Sequence, residues 1–339
     1  MNHLRICIIL SVFILGCKAP KMASYSTKTD LTSKAKFDFN QSFIRENGRG
    51  FTVSMNALGQ KPKRVALVSF YVDDQGITKV SGTNSTGKTY STTNSGSDNL
   101  RILGNRFYSA GIPQLVSSFK NYGIEILTPE QFLTDDDKRM AYNDFVVKHT
   151  TANKVGEKIG KFFKNMASNG TTIELDEAAD GFRLMKINKR DEVDPKKKSI
   201  PANNLAGSFD GQMIESIGYD LTRLLEVDAV LIVYNSQLAD TKWGKTRFWM
   251  SAVNMHMFGP NPLPLKEGKK DNNLYSKGLF YGGVRMAFKK GLVINPKEKD
   301  EVKRALLEKQ TDQAYANMIA GCVNRLGLYM DKELKKAKK

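Results

Sequence analysis

The sequence predicts an α/β fold with an α+β tendency: a mixed, largely antiparallel-edged sheet flanked by helices and closed by a long C-terminal helix. Three observations carry this expectation. "VDAVLIVYNSQL" (Val227–Leu238) is the most apolar strand-like run of the chain and belongs at the centre of a sheet. Strand-like and helix-like periods alternate from Arg64 to Leu127. Helical spacing of apolar residues resumes at about Pro296 and lasts to Lys335, with breaks expected near Gly321 or Gly327.

Each element follows from local chemistry. "FTVSM" (Phe51–Met55) and "RVALVSFYV" (Arg64–Val72) read as strands. "DDQG" (Asp73–Gly76) reads as a hairpin turn, with "ITKVS" (Ile77–Ser81) as the return arm. Residues 81–99 read as a flexible loop. Leu100, Leu103, Phe107, Leu115 and Phe119 form a helical stripe, interrupted near Gly111–Pro113. "IEIL" (Ile124–Leu127) is a short buried strand. Thr128 then caps a helix that has Pro129 in its first position. A further helix starts in "TDDDKRM", with Thr134 as its cap and Asp135–Asp137 at the positive end of the helix dipole. Those aspartates lack the spacing and the loop glycine of a calcium site. Asn153–Ala167 is helical, 186–204 is a charged loop, and Ser208 caps an amphipathic helix to Glu226. Arg247–Gly259 pairs antiparallel with the central strand, and Lys277–Phe288 is a further strand.

"GTNSTGKT" (Gly82–Thr89) fits the phosphate-loop pattern through Gly82, Gly87, Lys88 and Thr89. Its context does not fit. A phosphate loop joins a buried strand to a helix N-terminus. Here the pattern follows an outer antiparallel arm, and "YSTTNSGSDN" after it disfavours helix. Tyr90 is the only large apolar residue between Val80 and Leu100, and "VDAVLIVYN" ends with no carboxylate for magnesium. The match is read as chance, and no nucleotide or other cofactor is expected.

The N-terminus is "MNHLRICIILSVFILGCKAP". Arg5 supplies a positive start, and the apolar run Ile6–Leu15 is too short to span a membrane as a helix. Ile14–Cys17 ("ILGC") resembles the bacterial lipoprotein signal, in which a small residue precedes a cysteine that is diacylated, cleaved and acylated again. The resemblance implies a signal peptide over 1–16, lipidation at Cys17 and a mature chain in an ATP-free compartment. Lys18, not aspartate, follows the cysteine, which by the family's sorting rule implies the outer membrane, facing the periplasm. Residues 17–35 are polar and read as a tether. Residues 36–331 form the α/β globular region, long enough for one large domain or two small ones, and 332–339 are a basic solvated tail.

The chain has 52 Lys+Arg against 35 Asp+Glu, a net charge of +17. Removal of residues 1–16 takes away one of those charges, Arg5. An envelope protein this basic points to envelope proteins, anionic lipid or lipopolysaccharide as partners. No nucleic-acid module pattern is present, so nucleic acid is not expected. Of three cysteines, Cys7 leaves with the signal, Cys17 carries lipid and Cys322 is left alone as a buried small hydrophobe. After cleavage the histidines are His149 and His256. No HExxH, CxxC, GxSxG or paired-carboxylate motif occurs, so no catalytic or metal-binding residue is assigned. "NMHMF" places Met255 and Met257 on one face of a strand and a half-exposed His256 on the other, so the three cannot converge on one ion.

"KRVALVSFYVDD", a long helix, "YGIEILTPEQFL" and "VDAVLIVYNSQLAD" together resemble the α/β domain of envelope lipoproteins related to the curli secretion channel subunit and to penicillin-binding-protein activators. The chain departs from that group by insertions at 81–99 and 186–204 and by its extended last helix. None of the group's functional residues can be placed here. The resemblance implies protein contact, secretion or cell-wall assembly. The expected function is a non-enzymatic scaffold or adaptor in envelope assembly or secretion. The alternative is an oligomeric outer-membrane secretion-pore subunit, for which only Thr78–Thr93 and Lys277–Phe288 approach the strand lengths required. The third is an envelope hydrolase without a recognisable motif.

Overall fold

In a computed structural model, strand β2, Arg64–Asp74, has nine of its eleven residues buried. The structure describes residues 37–45, 59–74, 77–84, 87–93, 97–147, 175–185, 215–242, 245–262, 277–293 and 299–337. The expectations for the signal segment, Cys17, the tether, Phe51–Met55, His149, Asn153–Ala167, the loop 186–204 and Ser208 lie outside these residues.

The other strands are β1 (Phe37–Arg45), β3 (Ile77–Asn84), β4 (Gly87–Thr93), β5 (Glu125–Leu127), β6 (Leu175–Ala178), β7 (Ala229–Lys242), β8 (Lys245–Pro260) and β9 (Gly278–Val293). Seven of the nine form one mixed sheet in the order β1-β9-β8-β7-β2-β5, with β6 also paired to β2. β2 runs parallel to both β5 and β7, while β7, β8, β9 and β1 pair antiparallel in succession. The apolar "VDAVLIVYN" run lies inside the sheet as β7, so both of its faces are covered. β1, on the far edge, was not read from the sequence. "FDFNQSFIR" offers only a short, polar alternation.

Helix α1 (Ser97–Lys120) and helix α5 (Glu301–Ala337) cover one face. α5 buries Ala314, Met318, Cys322 and Leu326, spaced four apart, in the core it shares with α1 and the sheet. The second face carries α2 (Pro129–Phe132), α3 (residues 136–147), a π-helical turn at Ser216–Leu221 and α4 (Thr222–Leu225). The fold is therefore α/β, with a mixed sheet between helices and a long C-terminal helix.

β2 carries a bulge that sets its two faces. Leu67 pairs with Leu231 but Ser69 pairs with Ile232, leaving Val68 as the extra residue. Parity switches there. Val65 and Leu67 face α1 and α5, and so do Phe70 and Val72, while Ala66, Val68 and Tyr71 face the other layer.

Several sequence expectations are corrected. Residues 81–99 are not a loop: β3 and β4 pair with each other as a separate two-stranded sheet, and α1 has begun by Ser97. The Thr-rich composition that disfavours helix favours strand, and Val80 and Tyr90, the two large apolar residues of the ribbon's centre, are register partners. The arm after β2 accordingly pairs with β4, not back onto β2. α1 runs unbroken through Gly111 and Pro113. Pro113 and Ser109 lie on its exposed side, where water can take the carbonyl that proline frees. A Cβ on Gly111 would stand 2.7 Å from the Tyr315 ring, so this glycine serves close helix packing. α5 is likewise unbroken at Gly321 and Gly327, and a Cβ on Gly327 would meet the Tyr122 ring at 2.5 Å. The tail expected from residue 332 is helical to Ala337, with Glu333 buried and Leu334 packed on the core. The cap of α3 is Asp135, not Thr134: its Oδ1 accepts the Lys138 N–H at 2.8 Å. This bond first, with the nearby cations, lowers the Asp135 carboxyl below its usual range. His256 is 2% exposed rather than half-exposed.

Candidate functional site

β5 and β6 share one edge of β2. β5 pairs with Arg64–Ala66, and β6 with Tyr71–Asp74. Between them, at the bulge, β2 has a notch. Tyr142 of α3 donates its hydroxyl to the Val68 carbonyl at 2.6 Å. The segment after β6 completes the plug. Ser69 Oγ donates to the Arg183 carbonyl and accepts the Met185 N–H, each at 3.2 Å. The Ala179 N–H donates to the Phe70 carbonyl at 2.9 Å.

The same notch is where the chain diverges. After β2 the next helix, α1, packs on one face of the sheet; after β5, α2 and α3 pack on the other. β5 ends at this notch, while β2 runs on past it to Asp74. A crevice of about 410 Å³ lies here, open to solvent on one side. Pro129, Tyr142 and Phe182 form its buried floor. Glu130, Arg139 and Arg183 form its exposed rim. Leu133, Asn143 and Gly181 complete the wall.

Local structure fixes each group. Thr128 donates its N–H to Gln131 Oε1 at 2.9 Å, the return half of a capping box, and this starts the short α2 that carries Glu130. Gly181 takes a φ of +84°, which turns the chain after β6. Asn105 of α1 clamps that turn, donating to Asp180 Oδ2 and accepting the Asp180 N–H, both at 2.6 Å. Phe182 then packs edge-on against Tyr108, with ring centroids 5.1 Å apart. Arg183 Nε donates to Asn143 Oδ1 at 3.0 Å. Arg139 pairs with Asp136 at 3.2 Å, and that carboxylate is 91% exposed.

Burial pushes the Tyr142 hydroxyl far above its ordinary value, and the Arg183 backbone and charge offset this only in part. Burial, and then the Glu130 carboxylate, push Tyr108 up to about 12. Both phenols are neutral at physiological pH. The crevice thus offers an apolar floor, one rim carboxylate and two guanidiniums. That chemistry suits binding.

The phosphate-loop residues lie elsewhere. Gly82 is on β3, and Gly87, Lys88 and Thr89 are on β4, with Thr83 opposite Lys88 and Asn84 opposite Gly87. This is strand–turn–strand, whereas a phosphate loop passes directly from strand to helix N-terminus. Met255 and Met257 pack under α5, while His256 stacks on Tyr234 at 5.6 Å across the sheet. A Cβ on Gly283, its cross-strand partner, would lie 2.9 Å from His256 Nδ1, so glycine makes room for the imidazole. Cys322 is fully buried. Among the described residues no group of three His, Cys, Asp or Glu side chains is placed to hold a metal ion. No helix among them is long and apolar enough to cross a membrane.

Sequence reasoning did not find Glu130, Arg139 or Arg183. Their one local signal is "DGF" (Asp180–Phe182), an Asp-Gly turn leading straight to Arg183. Against this geometry the comparisons with known proteins add no relative: no protein-family model, no curated protein and no solved structure matches the chain.

Proposed function

We propose that the chain is a lipid-anchored, periplasm-facing adaptor of the outer membrane that works through non-covalent contacts in envelope assembly or secretion. The observation that carries this reading is the N-terminal run: Arg5, the apolar stretch Ile6–Leu15, and Gly16 before Cys17. A polar stretch then separates Cys17 from the first strand at Phe37. A tether of this kind lets a domain search a small volume near the membrane and raises its effective concentration at a fixed partner. The open crevice, with its apolar floor and charged rim, supports a role in contact.

The experiment is cell fractionation of Cys17→Ser. The variant is expected to leave the membrane fraction for the soluble one, and inhibition of the lipoprotein signal peptidase is expected to leave a larger precursor. Unchanged membrane partition would refute the anchor. Crosslinking in intact membranes tests the adaptor itself: a stoichiometric envelope protein supports it. A self-crosslinked ring with conductance would replace it with a pore subunit. Of the two candidate segments, the β3–β4 ribbon, with strands of 8 and 7 residues, falls short of the ~9–11 residues of a membrane-spanning β-strand, and β9, long enough at 16 residues, is paired inside the mixed sheet between β1 and β8; this pairing favours the adaptor. A partnerless monomer that turns over a cell-wall or lipid substrate would replace both with a hydrolase.

A further inference from the structure

The register of the sheet shows which end of the domain meets the chain that comes from Cys17. One row of partners, Asp38, Ala287, Ala252, Ser236 and Asp73, crosses the sheet from β1 to β2. β1 therefore begins, at Phe37, level with the last residues of β2, and it runs away from that end. Even fully extended, the stretch between Cys17 and Phe37 spans at most about 70 Å. An anchor at Cys17 keeps this end of the domain near its bilayer.

α5 starts at the same end. Tyr315 donates its hydroxyl to Asn235, the register partner of Val72, at 3.0 Å, and farther along α5 Asp331 meets Lys61, just ahead of β2, at 2.7 Å. From Tyr315 back to Val302 the helix rises about 20 Å along its axis, which carries it past the end of β2. Every residue from Glu301 to Leu306 is accordingly exposed. Val302 and Leu306, one turn apart on the same side, are 81% and 51% exposed. α1 begins beside them: Phe107 packs on Tyr315 with ring centroids 4.8 Å apart, and Ile102, above it in the second turn of α1, is 62% exposed. Three of the six large apolar side chains left exposed among the described residues thus lie at the starts of these two helices.

Charge nearly cancels here. Lys299, Lys303 and Arg304 stand against Asp300 and Glu301, with Lys303 3.8 Å from Asp300 and Arg304 3.9 Å from Glu301. On the first turns of α1, Asp98 offsets Arg101. We infer that the first two turns of α5 rest on the membrane that holds the anchor, with Val302 and Leu306 entering the headgroup boundary. A phospholipid surface is the occupant because the chain leading to Cys17 leaves from this end of the sheet, and because nearly balanced charge gives a polyanion or a charged peptide little to select. This deepens the adaptor reading and rests on its lipid anchor. The contact turns the start of β2 away from the membrane.

The test uses the full lipidated chain in vesicles of phosphatidylethanolamine and phosphatidylglycerol, with a nitroxide on Val302→Cys, Leu306→Cys or Leu328→Cys. Leu328 is 56% exposed, much like Leu306, but lies one turn from Asp331 at the far end of α5. Cys322 is fully buried and does not compete for label. Saturation of the paramagnetic resonance signal compares collisions with oxygen, which enters lipid, and with a nickel chelate, which stays in water. The oxygen-to-nickel ratio is expected to be about fivefold higher at Val302→Cys and Leu306→Cys than at Leu328→Cys. It is expected to hold at about 0.5 M salt, since charge contributes little. Nickel access at Val302→Cys and Leu306→Cys equal to that at Leu328→Cys overturns the inference. Exclusion of both probes also overturns it and assigns these turns to a second copy of the chain. Collapse of the ratio at high salt overturns the apolar contact. The substituted side chains are exposed, thermal melts report whether each variant folds, and either of the two sites carries the test alone. Flotation of the vesicles separates the two readings. A chain that does not float refutes the anchor and this contact with it, whereas a floating chain with water-open labels refutes the contact alone.

Discussion

Tyr142→Phe isolates one atom at the junction of fold and site. The Tyr142 side chain is 1% exposed, and its hydroxyl is the donor to the carbonyl of Val68, the extra residue of the β2 bulge. Phenylalanine keeps the ring and its edge-on contact with Phe132, whose centroid is 5.9 Å away. What is lost is the donor. The bulge carbonyl is left buried without it, and a buried acceptor stripped of its partner costs about 1–3 kcal/mol. The lost hydroxyl also leaves a small void, which removes some dispersion contact. For a domain of this size each kcal/mol moves the melting temperature by about 2–4 °C. The expected fall is therefore roughly 3–10 °C, with a lower urea midpoint and an unchanged slope. Equilibrium urea unfolding followed by far-UV circular dichroism reads both quantities. A stability change below about 0.3 kcal/mol would refute the claim that the hydroxyl holds the bulge. A changed slope would mean that the variant alters the compactness of a state instead.

Three further outcomes are expected. Gly218→Ala in the π-helical turn would put a Cβ 2.8 Å from the Gly259 carbonyl oxygen and 3.2 Å from Gly278 Cα; overpacking against backbone of about 1–3 kcal/mol should outweigh alanine's helix preference, and a more stable variant by urea unfolding would contradict this. Burial raises the hydroxyls of Tyr108, Tyr142, Tyr281 and Tyr315, Tyr108 to about 12. Their contribution is fully present below the unfolded tyrosine value of about 10 and is lost as pH rises through the folded values, so melting temperature should drop above about pH 10, and a flat profile to pH 11.5 would refute it. Neither the native chain nor Lys88→Ala should bind ATP or GTP saturably, since Lys88 lies in an antiparallel ribbon; equilibrium dialysis showing binding that disappears in Lys88→Ala would overturn that reading.

Where one physical signal dominates, the sequence was enough. The first six residues of β7, Ala229–Tyr234, are all apolar because both faces are covered there, and few other arrangements accommodate such a run. β5, Thr128 and Pro129 were legible because a short buried strand, a cap and a first-turn proline agree with one another. α5 was legible from spacing alone. Glycine misled in both long helices. Gly111 and Gly327 read as breaks, since glycine lowers helix propensity, yet each sits where a tyrosine ring, Tyr315 of α5 or Tyr122 of the turn after α1, leaves no room for a Cβ. Propensity is local, whereas the reason for these glycines lies some two hundred residues away in the chain.

The candidate site was illegible for a related reason. Glu130 follows a strand, Arg139 lies within a helix, and Arg183 follows a turn; as isolated residues each reads as an ordinary solvated charge. Only the notch on β2 brings them together, and the notch depends on Val68 being one residue too many for its ladder with β7. In sequence, "RVALVSFYV" gives no sign of that extra residue, because strand periodicity is lost in a run buried on both faces. The bulge turns Phe70 and Val72 toward α1 and α5, the face that Val65 and Leu67 also serve. It also leaves the carbonyl that Tyr142 fills and the hydroxyl of Ser69 on which Arg183 and Met185 are anchored. One inserted residue therefore both packs the core and opens the crevice. Tyr142→Phe should therefore speed amide exchange at Met185, whose N–H is held by Ser69 beside the bulge, as well as lower stability, whereas Gly218→Ala, at the β8–β9 end of the second face, should lower stability with no such local change.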